Sequence, residues 1–167
     1  MEAVIIRKAE VRDLEAMASL LELLFSIEED FTPRRQLQLQ GLEMMLRDDA
    51  RSCIMLAEVN SRVVGMGTIQ LLISTAEGGV SGMIEDMIIQ EEYRGRGLGR
   101  RIIAALEEWL VAKGGTRLQL LADKNNSLAL DFYKRLGWRN TRLICLRKMP
   151  GHDSQEGPDE NSEEQGA

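Results

Sequence analysis

A glycine- and arginine-rich turn in the middle of the chain most constrains how this sequence can fold. It runs from Glu92 to Arg101 and has glycine at every second position from 95 to 99. The preceding residues 83–89 are apolar enough for a buried strand, and apolar residues recur at helical spacing from Leu98 to about Lys113. The pattern therefore predicts a strand, a tight turn, and a helix that begins inside the glycines.

This arrangement is typical of an anion-binding site. The first N–H groups of a helix lack intrahelical partners and lie at the positive end of the helix dipole. Glycine removes the Cβ atoms that would keep a phosphate away from the backbone. Positive charge in the turn comes from Arg94, Arg96, Arg100 and Arg101. We therefore expect a phosphate-bearing ligand here, with a solvated turn or a contact to nucleic-acid phosphates as the alternatives.

The spacing of the turn excludes two common phosphate-binding loops. A Walker loop requires Lys and then Ser or Thr after its last glycine, where this chain has Arg100 and Arg101. A dinucleotide fingerprint requires Gly-x-Gly-x-x-Gly, and neither the register from Gly95 nor that from Gly97 ends on glycine. The ligand is therefore not expected to be ATP, GTP or a dinucleotide held by those motifs.

The order of the other elements predicts a mixed α+β fold. The central sheet is expected to be mixed but mostly antiparallel, with helices on both faces. The predicted elements are a strand at 3–6, helices at 14–27 (with Asp13 as N-cap) and 33–47, antiparallel strands at 53–59, 62–75 and up to 89, a helix from 98, a strand at 117–121, a helix from about 127 to 136, and a closing strand or hairpin at 138–148.

Two motifs in this chain resemble those of the GNAT superfamily of acyl-CoA-dependent N-acyltransferases. The resemblance covers roughly residues 5–148 and is firmest over 84–138, and it implies a GNAT-like fold. The turn is similar to the family's pyrophosphate-binding signature, and a later stretch is similar to its second cofactor motif. The matching residues are Arg94-x-x-Gly97-x-Gly99 and Asn126-x-x-Ala129-x-x-Phe132-Tyr133-x-x-x-Gly137-Trp138.

The resemblance also implies acetyl-CoA as a co-substrate, no metal, and a set of site residues. Tyr133 matches a general acid near the coenzyme sulfur, and Asn126 matches a cofactor contact that a plain helix cap would also explain. The remaining cofactor-binding positions are the backbone of Met87, Ile88 and Ile89 and the loop residues Arg94, Gly95, Arg96, Gly97, Leu98, Gly99 and Arg100.

Glu85 and Asp86 are the candidate general bases, because they are acidic residues in an otherwise apolar strand. In a regular strand they point to opposite faces, so at most one should face the acyl group. The family resemblance implies that the acceptor lies near Glu85, so we assign the base to Glu85 and expect Asp86 to be the buried partner of an arginine.

The expected reaction is direct transfer of acetyl from acetyl-CoA to a primary amine of a small molecule in a ternary complex. The alternatives are acetylation of protein N-termini or lysines, and a non-catalytic acyl-CoA-binding regulatory module. The acidic run 28–30, flanked by Phe25 and Phe31, is either a solvated helix end or a pocket for a cationic amine.

Charge argues against a nucleic-acid partner. The chain of 167 residues has a net charge of −6, but six of its 27 acidic residues lie in 150–167, so the remaining body is neutral. We expect one domain over 1–149 and a disordered acidic tail over 150–167. No secretory signal or membrane span is visible, so a cytoplasmic protein is expected. Strands near the C-terminus leave room for a homodimer.

The cysteine and histidine content excludes several kinds of catalysis. Cys53 and Cys145 are expected to be small buried thiols, because each lies in an apolar, strand-like setting. The single histidine, His152, lies in the tail. Most Ser-His or Cys-His mechanisms and most zinc chemistry are therefore not expected.

Overall fold

The computed structural model describes residues 3–28 and 30–150. Within these ranges two 3₁₀ turns precede α1 and α3. The strands and helices in chain order are β1 (Val4–Lys8), α1 (Leu14–Ile27), α2 (Arg35–Arg47), β2 (Ser52–Val59), β3 (Arg62–Ser74), β4 (Gly79–Ile89), α3 (Leu98–Ala112), β5 (Gly115–Leu120) and α4 (Ser127–Arg135).

The strands form a single sheet in the order β1-β2-β3-β4-β5. The first three pairings are antiparallel, and β4 pairs with β5 in parallel. The predicted mixed, mostly antiparallel sheet is therefore confirmed. The hairpin between β2 and β3 turns at Asn60 and Ser61, whose φ angles of 49° and 65° lie in the left-handed region that tight two-residue hairpin turns require.

Helices cover the sheet on both faces, which explains why β2 is buried over six consecutive residues. Its Ile54 and Leu56 join the core under α1 and α2, whereas Met55 and Ala57 join the core under α3. In α3 the apolar positions recur every three or four residues and all face the sheet. They are Leu98, Ile102, Leu106, Trp109 and Leu110.

The predicted closing strand is not formed. Residues 138–150 contain neither a helix nor a strand, and the side chains of residues 139–150 are exposed. Cys145 is therefore exposed, contrary to the expectation of a buried thiol, whereas Cys53 is buried as expected. Burial raises the pKa of the Cys53 thiol.

Asp13 precedes α1 as predicted, but its side chain does not cap the helix. It accepts two hydrogen bonds from the Arg7 guanidinium, at 2.7 and 2.8 Å, and one from the N–H of Glu10. Arg7 also pairs with Glu58 at 2.7 Å, so β1, the start of α1 and β2 are tied together. A hollow of about 680 Å³ opens beside this network, but its buried charges are already paired.

In the described part of the chain, no helix is both long and apolar enough to cross a membrane. The predicted acidic tail lies outside the described residues from 151 onward, so its disorder stays a prediction.

Candidate active site

The glycine turn leads directly into α3, as its sequence predicts. Gly97 is the residue before the helix and has φ = 78°, a left-handed conformation that glycine adopts without steric cost. A Cβ atom at Gly97 would meet no atom within 4 Å apart from those of its chain neighbours, so the space beside Gly97 at the start of α3 is open. An anion can therefore reach the helix N-terminus from this side.

Gly99 has a different role, since its missing side chain makes room for α4. A Cβ atom there would lie 3.1 Å from the Cζ atom of Phe132. The two motifs of the sequence, one on the turn and one on α4, are thus in direct contact. The N-cap of α4 is Asn126, whose Oδ1 accepts a hydrogen bond from the N–H of Ala129 at 3.0 Å.

Three of the four loop arginines stay near the turn. Arg94 donates from Nε to the carbonyl of Ile89 at 3.0 Å, and Arg96 lies 5.1 Å above the ring of Tyr93. Arg100 is exposed in the first turn of α3. Arg101, by contrast, donates to the carbonyl of Val4 on β1. Its charge is therefore directed away from the turn, contrary to expectation.

The sheet opens next to this turn. Pairing between β4 and β5 runs from Val80 to Ile84 and ends where Ile84 meets Leu120. Pairing of β4 with β3 continues to Ile89. The stretch from Glu85 to Ile89 therefore has an unpaired backbone edge that faces a gap between β4 and β5.

Backbone alternation tells which groups face this gap. The N–H of Gln90 donates to the carbonyl of Val64 on β3, so the backbone groups of Ile88, two residues earlier, also face β3. Those of Ile89 and Met87 then face the gap, in agreement with the hydrogen bond that the Ile89 carbonyl accepts from Arg94. An extended ligand could pair with this edge as an additional strand does.

A β-bulge interrupts β4 at the edge of the gap. Thr68 pairs with Glu85 and Met66 with Ile88, so two residues of β4, Asp86 and Met87, lie opposite one residue of β3. Asp86 has φ = 52°, which is uncommon for a residue other than glycine. Bulges of this kind change the direction of a side chain.

Because of the bulge, Glu85 and Asp86 lie on the same face of the sheet. Gln70 donates to Glu85 at 3.3 Å, and the hydroxyl of Thr68 donates to Asp86 at 3.2 Å. Thr68 and Gln70 are two residues apart on β3 and project from one face. The expectation of opposite faces was wrong because it assumed a regular strand.

The two carboxylates differ in their surroundings. Glu85 is exposed, whereas Asp86 is partly buried beside Thr68, which is only 1 % exposed. Burial, followed by the charge of Glu85, raises the pKa of Asp86 to about 6. The arginine partner expected for Asp86 was wrong, since no ion pair of Asp86 occurs in the part of the chain that the structure describes.

Tyr133 lies on α4 with its ring against two other aromatic rings. Its ring centroid is 5.2 Å from that of Phe132 and 6.0 Å from that of Trp138. Burial, with a smaller contribution from the charge of Glu28, raises the pKa of Tyr133 to about 12. The phenol is therefore protonated throughout the neutral pH range and can act as a proton donor.

Further acidic groups converge on the same region. Glu28 is the C-cap of α1, and burial together with the charges of Asp123 and Asp30 raises its pKa. The charge of Glu28 also acts on Asp86 and Tyr133, so the ends of α1, the β4 bulge, the β5–α4 loop and α4 meet here. Sequence reasoning named Glu28 but missed Asp123, Thr68 and the bulge. Only the acidic run at 28–30 gave a local signal.

The aromatic residues beside that run do not form an open cage. The rings of Phe25 and Phe31 pack against each other with centroids 5.2 Å apart. The guanidinium of Arg147 lies 4.7 Å above the Phe31 ring. A cationic ligand at this place would therefore rely on the carboxylates.

Comparison with known proteins agrees with this geometry. A sequence profile of the Acetyltransferase (GNAT) family matches residues 14–138. Among solved structures, an aminoglycoside N-acetyltransferase in complex with CoA is similar with a TM-score of 0.79 and 18% identity, covering 90% of this chain and 97% of that one.

Two further solved structures share the fold. An acetyltransferase from Trypanosoma brucei has a TM-score of 0.70 and 26% identity, covering 88% of this chain and 100% of its own. The glucosamine-6-phosphate N-acetyltransferase from Arabidopsis thaliana has a TM-score of 0.70 and 20% identity, covering 88% and 99%. The family profile spans about three quarters of the sequence, including the glycine turn, the β4 bulge and the α4 motif. This chain therefore belongs to the GNAT family of acetyltransferases.

Proposed function

We propose that this protein is an acetyl-CoA-dependent N-acetyltransferase that acetylates a primary amine of a small, positively charged molecule. The observation that carries the proposal is the β4 bulge. It brings a partly buried carboxylate, Asp86, to the unpaired edge of β4, in electrostatic reach of the same Glu28 that acts on Tyr133.

The residues around the turn fit a coenzyme A pyrophosphate. The space over Gly97 is open, and the first N–H groups of α3 point toward it. We propose that Gly95, Leu98 and Gly99 complete this cradle, with Arg94, Arg96 and Arg100 around it. The unpaired edge at Met87 and Ile89 would hold the extended arm, and Asn126 would support it from α4. Ile88 would contribute through packing, since its backbone pairs with β3.

Deprotonation of the amine is the first chemical requirement. An amine with a pKa of about 10.4 is neutral only about once in 2,500 molecules at pH 7, which corresponds to roughly 4.6 kcal/mol. Asp86, with a pKa of about 6, is ionised at neutral pH and is a stronger base than an ordinary carboxylate. We propose Asp86 as the base and Glu85, the residue that the sequence favours, as its alternative.

Acetyl-CoA would supply the acetyl thioester for the reaction. Asp86 takes the proton that the ammonium loses to become a neutral amine. As the nitrogen forms its bond to the acetyl carbon, its second proton leaves and passes to the phenolate that Tyr133 leaves when it protonates the sulfur. A backbone N–H of the Met87–Ile89 edge donates to the thioester oxygen as negative charge develops there. The C–S bond breaks with its electron pair on sulfur, and Tyr133 donates its phenolic proton to that sulfur.

The acidic surroundings support a cationic acceptor. Glu28 lies within electrostatic reach of both Asp86 and Asp123, and each carboxylate would favour a second positive charge on the substrate. The similar solved structures act, by their names, on an aminoglycoside and on glucosamine 6-phosphate. Of these two classes, the acidic cluster favours the amine without a phosphate.

Binding is tested by calorimetric titration of the full chain with acetyl-CoA and with desulfo-CoA. Turnover is then followed by thiol release across a panel of polyamines, aminoglycosides, amino sugars and peptides. We expect Asp86→Asn and Tyr133→Phe each to lower kcat by roughly 10²-fold or more while acetyl-CoA binding is retained. Glu107→Gln, an exposed acid of α3, serves as the control and should leave kcat unchanged.

The remaining outcomes separate the alternatives. A larger loss of kcat in Glu85→Gln than in Asp86→Asn would indicate that Glu85 is the general base. Turnover on peptides alone would favour a protein acetyltransferase, and binding without turnover would favour a regulatory module. Intersecting rather than parallel initial-rate patterns are expected for direct transfer in a ternary complex. A cytoplasmic location and the lack of a nucleic-acid partner stay predictions of the sequence.

A further inference from the structure

Thr68 places a hydroxyl group at the centre of the sheet. Residues 64–69 of β3 are all buried, and Thr68 has the one polar side chain among them and is only 1 % exposed. It pairs on one side with Ile54 of β2 and on the other with Glu85 of β4. A buried hydroxyl is costly unless it forms a hydrogen bond. The partner of this hydroxyl is therefore informative.

That partner is the carboxylate on the β4 bulge. Oγ1 of Thr68 donates to Oδ2 of Asp86 at 3.2 Å. The extra residue of a bulge has no partner in the strand ladder, so the backbone does not fix its side chain as firmly as in a regular strand. Thr68, by contrast, lies on a strand that is paired on both sides, and its β-branched side chain has few rotamers. The hydroxyl therefore joins the carboxylate to a rigid part of the sheet.

The two carboxylate oxygens of Asp86 have different surroundings. Oδ2 accepts the hydrogen bond from Thr68, whereas Oδ1 accepts none from the part of the chain that the structure describes. In that part, the buried side-chain atoms without a hydrogen bond are Oε1 of Gln90 and Nε of Arg117. Oδ1 of Asp86 is not among them, so it is accessible. One oxygen is thus held by the sheet, and the other can meet a ligand.

The charged groups that act on Asp86 are both negative. They are Glu85 on the same strand and Glu28 at the end of α1. Burial and these two charges raise the pKa of Asp86 to about 6, and the hydrogen bond from Thr68 opposes the rise. A hydrogen bond to the ionised form of a carboxyl group favours that form. Without the hydroxyl, a smaller fraction of Asp86 would be ionised at neutral pH.

We propose that Thr68 is a positioning residue for acetyl transfer, because its hydroxyl holds one oxygen of Asp86 and directs the other toward the ammonium group of the acceptor. The proposal rests on the proposed function, in which Asp86 takes a proton from that group. Thr68 itself does not touch the substrate. Removal of its hydroxyl should therefore have two separable effects. Ionisation of Asp86 should require a higher pH, and the ionised carboxylate should accept the proton more slowly.

The first test is the titration of Asp86, which needs no substrate. NMR of the carboxyl carbons of aspartate, with the Asp86 signal assigned by its loss in Asp86→Asn, should give a midpoint of about 6 in the natural chain. Thr68→Val replaces the hydroxyl with a methyl group of similar size and should raise the midpoint by about one pH unit. Thr68→Ser keeps the hydroxyl and should titrate close to the natural chain. Thr68→Ala provides the same test if Thr68→Val does not fold.

The second test is the pH dependence of acetyl transfer. In Thr68→Val the acidic limb of kcat/KM should move up by the same interval as the titration. At about pH 9, where Asp86 is ionised in each Thr68 variant, kcat should still be roughly tenfold lower, because the carboxylate is no longer held in place. The Kd of acetyl-CoA should not change, and Thr68→Ser should recover most of the activity.

Thr116→Val is the matched control for these measurements. The hydroxyl of Thr116 also donates to a carboxylate, that of Glu77, at 3.1 Å. Glu77 lies in the turn before β4, at the opposite end of that strand from the bulge. The same substitution there should leave the titration of Asp86 and the pH profile unchanged.

Three results would overturn the positioning role. They are an unchanged Asp86 midpoint in Thr68→Val, a natural kcat of that variant at about pH 9, and a loss of kcat that Thr68→Ser shares in full. If Asp86→Asn keeps the natural kcat, the base of the proposed function is wrong and the positioning role falls with it. If Asp86→Asn loses activity and Thr68→Val does not, only the positioning role is wrong.

Discussion

At the residue scale, Asp86 is the carboxylate of the candidate site whose ionised form is destabilised most. Burial beside Thr68 raises its pKa from 3.8 to about 6, so ionisation costs free energy in the folded state. The stability associated with the protonated form is fully present below pH 4 and is lost as the pH rises through 6. We therefore predict that Asp86→Asn is more stable than the natural chain at pH 8, by on the order of 1–3 kcal/mol, but not at pH 4.

Urea unfolding at the two pH values measures this difference. The exposed Asp49→Asn serves as a control and should change stability by less than about 0.5 kcal/mol at either pH. If the stability of Asp86→Asn relative to the natural chain is the same at pH 8 as at pH 4, the result would contradict the assigned burial of this carboxylate.

The same residue should also set the acidic limb of the activity profile. If Asp86 takes the amine proton, kcat/KM of the natural enzyme should fall about tenfold per pH unit below pH 6, because the base becomes protonated. Tyr133→Phe should lower the whole profile without moving this limb, since the pKa of Tyr133 is about 12. If the residual activity of Asp86→Asn falls below pH 6 in the same way, the fall must come from the protonation of another group.

At the element scale, the start of α3 depends on Gly97. Alanine at φ = 78° is strained, and its Cβ would occupy the open space over the helix N-terminus. We expect Gly97→Ala to cost about 1 kcal/mol of stability and to weaken CoA binding at least tenfold. Gly41→Ala, in the interior of α2 with no atom near its Cβ, is the matched control.

The two alanine substitutions should change the stability of the protein in opposite directions. Gly41→Ala should stabilise the protein by about 0.5–1 kcal/mol, because alanine is the better helix former, and should bind CoA normally. Thermal unfolding and calorimetric titration give both quantities. Normal CoA binding by Gly97→Ala would show that the phosphates lie elsewhere.

A second element-scale contact is the ion pair that joins β1 to α1. Asp13 is buried, and the hydrogen bonds from Arg7 lower its pKa. Its contribution to stability is therefore present above the ordinary carboxyl pKa and lost as the pH falls through the lowered one. Asp13→Ala should cost about 3 kcal/mol at pH 7, since it leaves the partly buried Arg7 without its main partner. A loss that does not shrink as the pH is lowered would contradict this origin.

At the scale of the whole molecule, the proposed cofactor site is formed by elements that differ in how many residues they bury in the core. Helix α3 buries six residues, whereas α4 buries none and is held mainly through Phe132 on Gly99 and the ring of Trp138. A ligand that bridges β4, α3 and α4 should therefore order α4 most. We predict that saturating CoA slows amide exchange in residues 127–135 more than in 102–112. Equal protection of both helices would argue that α4 does not contact the cofactor.

Features with a local cause could be predicted from the sequence. The bounds of α1 and the start of α3 follow from apolar spacing that repeats within a few residues, and the turn at Asn60–Ser61 follows from residues that tolerate positive φ. The order of the glycine turn and the α4 motif along residues 94–138 could also be recognised from the sequence, but their contact through Gly99 and Phe132 was not predicted.

Tertiary structure alone decided how those local elements are used. The bulge that places Glu85 and Asp86 on one face arises from the pairing of β4 with β3, which no pattern within β4 encodes. Likewise Asp13 binds Arg7 instead of capping α1, Arg101 reaches β1, and residues 139–149 join no strand of the sheet in the described chain. The deciding partner is distant in the sequence for the bulge and for Arg101, whereas Arg7 lies only six residues before Asp13 but in another element. Local periodicity specifies which segments are helix or strand, whereas the positions of charges depend on which segments meet.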